Sequence, residues 1–321
     1  MKVGFIGLGN VGSKLASTLI RNKIPTFLYD LKKSAGAALI KNGGIWQDDP
    51  ATLTSNSDII ITCLPSPKIS AKVIEGKNGV LERASRKKVW IEMSTTQSSE
   101  VKRLAAKFLE KGMLAADCPV SGGCHRAATG NISIFAGCDR TVFKKIRPVL
   151  CVLGRQILHT GPLGSASTLK VMTNFLATTH LVACCEALVA MKAAKIDLNT
   201  TFEAIKISSG NSFVHETESQ VILNGSRDIN FTLDLVHKDI SLFQDLATKN
   251  SVPLQISPLL NKIVKNAIAE LGLRANSPSI ISLLEKQTGL EILAPGFPSE
   301  ITDNEPETTG YEIIPSAGQN N

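Results

Sequence analysis

Apolar positions along this chain follow two different patterns, and the change falls near residue 163. Up to about residue 160, short apolar runs alternate with stretches of helical period. The runs are Lys2–Gly7, Pro25–Asp30, Ile59–Leu64, Val89–Met93, Leu114–Val120, Ile132–Ala136 and Gln156–Thr160. A run such as Ile59-Ile60-Ile61 has no polar alternation, as expected of a strand buried on both faces of a parallel sheet. Helical pattern occupies Ser13–Arg21, Ser98–Lys111 and Thr141–Leu150 between them. Strand and helix in regular alternation predict an α/β fold with a doubly wound parallel sheet over residues 1–162.

From Gly164 the strand pattern stops. No Pro or Gly interrupts Ser165–Lys195, which predicts a helix of about 45 Å with Ser165 or Ser167 as N-cap. Further helices are predicted over Leu198–Ser208, capped by Asn199 or Thr200, and over Glu216–Leu223, Asp234–Lys249, Pro253–Leu271 and Pro278–Gln287. Residues 163–294 therefore read as an all-α domain joined to the first by the long helix. The uncharged stretch between Lys170 and Glu186 falls short of the ~18–20 residues that cross a bilayer, and Asn174, Thr178, Thr179 and His180 interrupt it, so no membrane association is expected. Residues 295–321 hold Pro, Gly, Ser, Thr and acids, a composition that predicts a disordered acidic tail.

Charge adds one constraint. The net charge is +7, yet the tail holds five acids and no Lys or Arg, so the remaining residues carry +12. That balance suits an anionic cofactor and an acidic substrate. The basic residues are scattered without aromatic interleaving, which argues against nucleic acid. The seven cysteines form no C-x-x-C pair and fit free thiols in a reducing compartment; no metal is called for. Met1-Lys2 leads straight into a strand without a signal peptide, so a cytoplasmic location is expected.

The first strand runs directly into Gly7-Leu8-Gly9-Asn10-Val11-Gly12, a helix follows, and the next strand ends at Asp30. In that context G-x-G-x-x-G is the fingerprint of a Rossmann-type dinucleotide site. Gly7 allows the tight turn, Gly9 lets the backbone approach the pyrophosphate, and Gly12 lets helix pack on strand. Asp30 accepts from the ribose hydroxyls and repels a 2′-phosphate, which predicts NAD, with NADP the less favoured cofactor. Lys32 and Lys33 just beyond it soften that choice. Ser121-Gly122-Gly123 follows another strand. Two successive glycines allow backbone N–H groups to converge on an anion such as a carboxylate. Lys170 and Asn174, four apart, share one face near the start of the long helix. His237-Lys238-Asp239 sets charges among Leu233, Leu235, Val236, Ile240 and Leu242, and is expected to open a helix at a cleft.

These segments together resemble the β-hydroxyacid dehydrogenases, the group containing 3-hydroxyisobutyrate dehydrogenase and tartronate semialdehyde reductase. The likeness spans about residues 1–290. It rests on the glycine motif, on Asp117-Cys-Pro-Val-Ser121-Gly122-Gly123, on Gly164-Ser-Ala-Ser-Thr-Leu-Lys170-Val-Met-Thr-Asn174 and on Lys238-Asp239-Ile-Ser-Leu242, in that order. The resemblance implies hydride transfer between a nicotinamide and a small hydroxy acid or semialdehyde. Lys170 would be the general acid/base. Ser121, Gly122 and Gly123 would hold the substrate carboxylate, and Asn174 would orient substrate or lysine. Leu64, Pro65 and Thr95 would contact cofactor, and Lys238 would close over cofactor and substrate. A homodimer or homotetramer packed through the long helix is also implied. Desolvation and a nearby positive helix end are expected to lower the pKa of Lys170. Arg126, where the family commonly carries a small residue, raises the alternative of a bulkier or dicarboxylic semialdehyde. A non-catalytic dinucleotide sensor is the other alternative, which retention of Lys170, Asn174 and the Ser121 turn opposes.

Overall fold

The computed structural model describes residues 1–315. They form two compact units, Met1–Lys170 together with the segment that begins at Asp303, and Val171–Thr302. The helix Ser165–Ala193 passes through the division.

The first unit is built on one sheet. Its strands are β1 (Val3–Ile6), β2 (Thr26–Tyr29), β3 (Ile45–Trp46), β4 (Ile59–Thr62), β5 (Val89–Glu92), β6 (Leu114–Asp117), β7 (Val120–Ser121), β8 (Ser133–Gly137), β9 (Gln156–Gly161) and β10 (Tyr311–Ile313). Across the sheet the order is β10-β9-β8-β6-β5-β4-β1-β2-β3, with β7 paired to β8. β1 lies in parallel register between β2 and β4, with Phe5 level with Leu28 and Ile61. The strand order reverses there, so the carboxyl end of β1 opens on the crevice where ligands of open α/β sheets bind. Phe5, Ile59, Ile61, Val89 and Ile91 face one core, and Ile6, Ile60 and Trp90 face the other. Burial on both faces is why these runs show no polar alternation.

Several boundaries differ from the sequence expectation. The Leu114–Val120 run breaks after Asp117, where Pro119 has no N–H to give the ladder. Val120–Ser121 then pairs antiparallel with β8, which also meets β6 antiparallel, so the sheet is parallel except at that joint. After β4 the chain leaves Pro65 and Ser66 outside any helix and starts the next one at Pro67. Ser66 Oγ accepts from Ile69 N at 3.3 Å, and Pro67 takes the first position of the helix Pro67–Glu75, where a missing N–H costs nothing.

The expectation of a disordered acidic tail fails for residues 295–315; residues 316–321 lie outside the described part. Composition alone measures only how much apolar surface a segment can bury. Here the acids find basic partners on the first unit: Glu307 pairs with Arg21, Glu305 with Arg155 and Glu312 with Arg140. Tyr311–Ile313 adds a parallel strand to the free edge of β9.

The second unit is helical. Leu198–Lys206, Phe213–Asn224, Leu233–Lys249, Ile256–Leu271 and Ile281–Thr288 pack with the long helix around Leu181, Cys185, Leu188, Ile222, Leu223, Ile240 and Val264. Asp197, rather than Asn199 or Thr200, caps the first of these by accepting from Thr200 N at 2.8 Å. The long helix is apolar enough to cross a bilayer by length and composition, with a mean hydropathy of 1.4 in its most apolar window. In this unit it supplies core side chains, Leu181, Cys185 and Leu188, that are all but inaccessible.

Glu218 gives this unit a pH signature. Desolvation pushes its carboxyl up to about 7 from an ordinary 4.5, against the opposing hydrogen bond from Ser277 Oγ at 2.9 Å. Between those values the folded chain holds a proton that the unfolded chain releases, so this contribution to stability is full below about 4.5 and is lost as pH rises through about 7. Glu218→Gln is expected to remove that loss. Thermal melts of wild type and variant at both ends of the window check it: the gap between their midpoints should widen in favour of the variant as pH rises.

Candidate active site

The glycine turn after β1 has the conformation its motif requires. Gly7 sits at φ +98°, and a Cβ there would lie 2.3 Å from the Cys63 carbonyl oxygen. A Cβ on Gly12 would lie 2.0 Å from the Gly7 oxygen, so helix and strand approach closely. A Cβ on Gly9 would meet nothing within 4 Å. The turn is thus packed against protein at its two ends and open in the middle, where a pyrophosphate has to approach. The helix Asn10–Arg21 begins there with no side-chain cap, and a helix N-terminus favours an anion. Asp30, at the end of β2, accepts from Leu8 N at 2.8 Å and from Lys32 N at 3.0 Å. Its carboxylate ties the glycine turn to the neighbouring strand end. Lys33 is drawn aside, its Nζ 6.0 Å from the centre of the Trp46 ring. These residues fit a dinucleotide.

The ends of β4 and β5 are joined by a residue that sequence reasoning missed. Glu92 is 1% exposed, and its Oε1 accepts from both the N–H and the hydroxyl of Ser94. Ser94 Oγ in turn accepts from Leu64 N at 2.7 Å. Burial raises the Glu92 pKa, and the Ser94 hydrogen bonds oppose the rise. Leu64 and Thr95, assigned to cofactor contact by resemblance, therefore flank one buried network; Pro65 is exposed.

The Ser121 turn is similarly specific. Gly122 takes φ +125° and Gly123 φ +84°, a pair of conformations closed to most side chains, and the helix Gly123–Thr129 starts directly from them. Four residues before Ser121, Asp117 is fully buried. Its Oδ1 accepts from Gly164 N and its Oδ2 from Ser167 N, both at 2.7 Å. Asp117 is the cap of the long helix, in place of the expected Ser165 or Ser167; Ser165 Oγ bonds Thr160 Oγ1 at 2.6 Å instead. Burial raises the Asp117 pKa while the two N–H groups pull it down. The positive helix end expected near Lys170 therefore carries a carboxyl group, that of Asp117, at its first turn. A single acid at the foot of the Ser121 turn fixes the start of the helix that carries Lys170. Lys170 follows one turn after Ser167 and is 7% exposed, unusual for a lysine.

In the helical unit, Asn174 Nδ2 donates to Asp239 Oδ2 at 2.5 Å, and Lys238 Nζ forms an ion pair with Asp239 Oδ1 at 2.9 Å. The two side chains singled out from sequence thus share one buried carboxylate, at 3% exposure. Lys238 lies in the second turn of Leu233–Lys249, not at a helix start, because Leu233 and Val236 already belong to the buried face of that helix. Arg126 lines a polar cavity of about 260 Å³ with Asn131, Arg155, Gln156, Glu305 and Tyr311, and its charge helps to lower the Asp303 pKa. That carboxylate is an internal partner the sequence left open. The seven cysteines are free. Among the described residues no three His, Cys, Asp or Glu side chains gather as a metal site.

Most of the chain is similar to known proteins. Residues 2–161 match the NAD binding domain of 6-phosphogluconate dehydrogenase, and residues 164–284 match the family described as NAD-binding of NADP-dependent 3-hydroxyisobutyrate dehydrogenase. A 2-(hydroxymethyl)glutarate dehydrogenase of Eubacterium barkeri is 32% identical over 294 residues, 91% of this chain and 97% of that protein. The mitochondrial 3-hydroxyisobutyrate dehydrogenase of Rattus norvegicus is 28% identical over 89% of this chain and 87% of its own length. The fold is that of a solved 3-hydroxyisobutyrate dehydrogenase from Salmonella typhimurium, with a TM-score of 0.81 at 24% identity over 88% of this chain and 99% of that one. A glycine-rich turn after the first strand, a second glycine turn at Gly122-Gly123 and a buried lysine follow in this order on a chain so widely matched, and the chain belongs to the β-hydroxyacid dehydrogenase family.

Proposed function

We propose that this family member is a dehydrogenase of a small hydroxy acid, or a reductase of the matching semialdehyde, with Lys170 as its general acid/base. The observation that carries the reading is the burial of Lys170 on a helix pinned by Asp117, the residue that ends the strand leading into the Ser121 turn. A nicotinamide dinucleotide supplies the hydride acceptor or donor when bound. The protein supplies the rest. Ser121, Gly122 and Gly123 hold the substrate carboxylate. In oxidation Lys170 takes the proton of the substrate hydroxyl, and in reduction it returns a proton to the carbonyl oxygen. Asn174 is assigned to orienting substrate or lysine and Lys238 to closing over cofactor and substrate; within the helical unit both are held by Asp239. Gly7 to Gly12, Asp30, Leu64, Pro65 and Thr95 contact cofactor. Following NADH absorbance against a panel of hydroxy acids and semialdehydes tests this. Turnover of at least one member is expected, and none across the panel would leave the non-catalytic sensor standing.

NAD is the proposed cofactor in preference to NADP. The Asp30 carboxylate is fixed by two backbone N–H groups and cannot swing away from a 2′-phosphate without losing both. Asp30→Ser is expected to shift the kcat/KM ratio towards NADP by about 10-fold or more, each factor of ten being about 1.4 kcal/mol. Steady-state rates with each cofactor check it, and an unchanged ratio would remove Asp30 from that choice.

A dicarboxylic substrate is the second reading. The Eubacterium barkeri relative is named for one, and Arg126 lies three residues after Gly123. Including mono- and dicarboxylic acids in the panel decides between the two. A homo-oligomer is also proposed, from the exposure of Leu176 and Met191 on the long helix; light scattering in solution tests it.

A further inference from the structure

The segment that starts at Asp303 lies beyond the residues matched to the family, yet it is bound into the first unit at many points. Gly310 N donates to Cys151 O at 2.7 Å and Tyr311 N to Arg155 O at 2.8 Å. Tyr311, Glu312 and Ile313 then pair with Gln156, Ile157 and Leu158. A Cβ on Gly310 would lie 2.0 Å from the Gly154 oxygen, so the approach is as close as backbone allows.

The upstream half of the segment seizes one particular place. Asp303 Oδ2 accepts from the Thr129 hydroxyl and from Asn131 Nδ2, the latter at 2.8 Å, and Asn131 Nδ2 also donates to the Glu305 carbonyl at 3.0 Å. Glu307 accepts from Arg21 Nε at 2.8 Å and from Asn22 Nδ2 at 2.7 Å. Arg21 passes the connection on, its Nη2 donating to Ala128 O at 3.2 Å, next to the bond from Thr18 Oγ1 to Ala127 O at 3.2 Å. The bonds to Thr129, Asn131, Ala127 and Ala128 fall on or beside the last turn of the helix Gly123–Thr129, and those of Glu307 reach it through Arg21. That helix is seven residues long, about 10 Å at 1.5 Å per residue, and its other end is the Gly122-Gly123 turn. A rigid rod this short transmits displacement of one end to the other.

We propose that the C-terminal strap, residues 303–313, is a positioning element for the Ser121–Gly123 turn and sets the affinity for the substrate carboxylate. This rests on the reading above that the turn holds that carboxylate. Asp303 and Glu307 act through the helix and touch neither substrate nor cofactor. Without them the carbonyls of Ala127 and Ala128 and the amide of Asn131 lose their fixed partners or those partners' supports, and the far end of the rod is free to shift. The consequence is a change in KM for the acid. The glycine turn at residues 7–12 is braced separately by Asp30 and should be little affected.

The test uses the full-length chain carrying Asp303→Ala and Glu307→Gln together, which leaves β10 in place. Hydrogen exchange is followed in peptides spanning residues 121–131, and steady-state kinetics are measured with 3-hydroxyisobutyrate and 2-(hydroxymethyl)glutarate as probe acids. Expected are faster exchange over 121–131, a KM for the acid raised by about 10-fold, and a KM for NAD changed by less than about 2-fold. Unchanged exchange over 121–131, or faster exchange with an unchanged acid KM, overturns the proposal. Ser121→Ala, run in parallel, separates the two ideas. If it raises the acid KM while the strap variant does not, only the strap proposal fails. If neither changes the acid KM, the carboxylate assignment of the turn fails as well.

Discussion

Lys170→Ala is expected to lower turnover by about 10²–10⁴-fold, the usual loss when a positioned acid/base is removed, while NADH still binds. The expectation follows from where the amine sits. At 7% exposure it has little access to bulk water, which suits the proposed exchange of a proton with a bound molecule. The glycine turn and Asp30 that are assigned to the cofactor do not depend on this side chain, so titration of NADH binding should be nearly unaffected. Lys170→Arg is the informative control. It keeps the charge but cannot give up a proton at working pH, so it should be almost as slow as the alanine variant. Turnover near wild type in Lys170→Arg would mean that positive charge, and not proton transfer, is what the position contributes.

Asp117→Asn is expected to cost both stability and rate. An asparagine offers one acceptor oxygen where the carboxylate offers two, so either Gly164 N or Ser167 N is left buried and unsatisfied. One such orphan costs about 1–3 kcal/mol, and a lost cap contributes in the same range, so a loss of about 2–3 kcal/mol is expected in urea unfolding. The rate loss has a separate origin. The start of the long helix is located by this one carboxylate, and a displacement of about 1 Å at a reacting group can cost on the order of 10²-fold. The kcat should therefore fall while the KM for NAD holds. A variant that unfolds earlier but keeps full kcat would show that the cap stabilises the helix without aligning Lys170.

How much of this was legible in the sequence depended on the range of the contacts. The glycine turn was readable because Gly7, Gly9, Gly12 and the adjoining strand and helix are neighbours in sequence, and their constraints are local. The apolar strands were readable because burial on both faces leaves a continuous run. The Asp117 cap was not. It joins residues about fifty apart, and Ser165 and Ser167 offered a local solution with equal chemistry. A hint was present, since an acid directly after Leu114-Ala115-Ala116 cannot be buried without donors from elsewhere. Glu92 carried the same hint at the end of Val89-Trp90-Ile91, and Ser94 two residues on was its partner.

The strap was the largest miss. Its acids looked like a solvated tail because each partner, Arg21, Arg140 or Arg155, lies 150 or more residues away. Its strand is three residues long and owes its existence to the open edge of β9, which no local pattern announces. The excess of basic charge over residues 1–294 was read as suiting an anionic cofactor and substrate; part of it serves this strap instead.

The most direct test of the central claim is the initial rate of NADH formation by Lys170→Ala with and without added methylamine, using whichever acid wild type oxidises best. A buried amine that accepts the hydroxyl proton predicts a slow variant whose rate climbs with the concentration of free methylamine and then saturates. A variant within about 2-fold of wild type before any amine is added would contradict it.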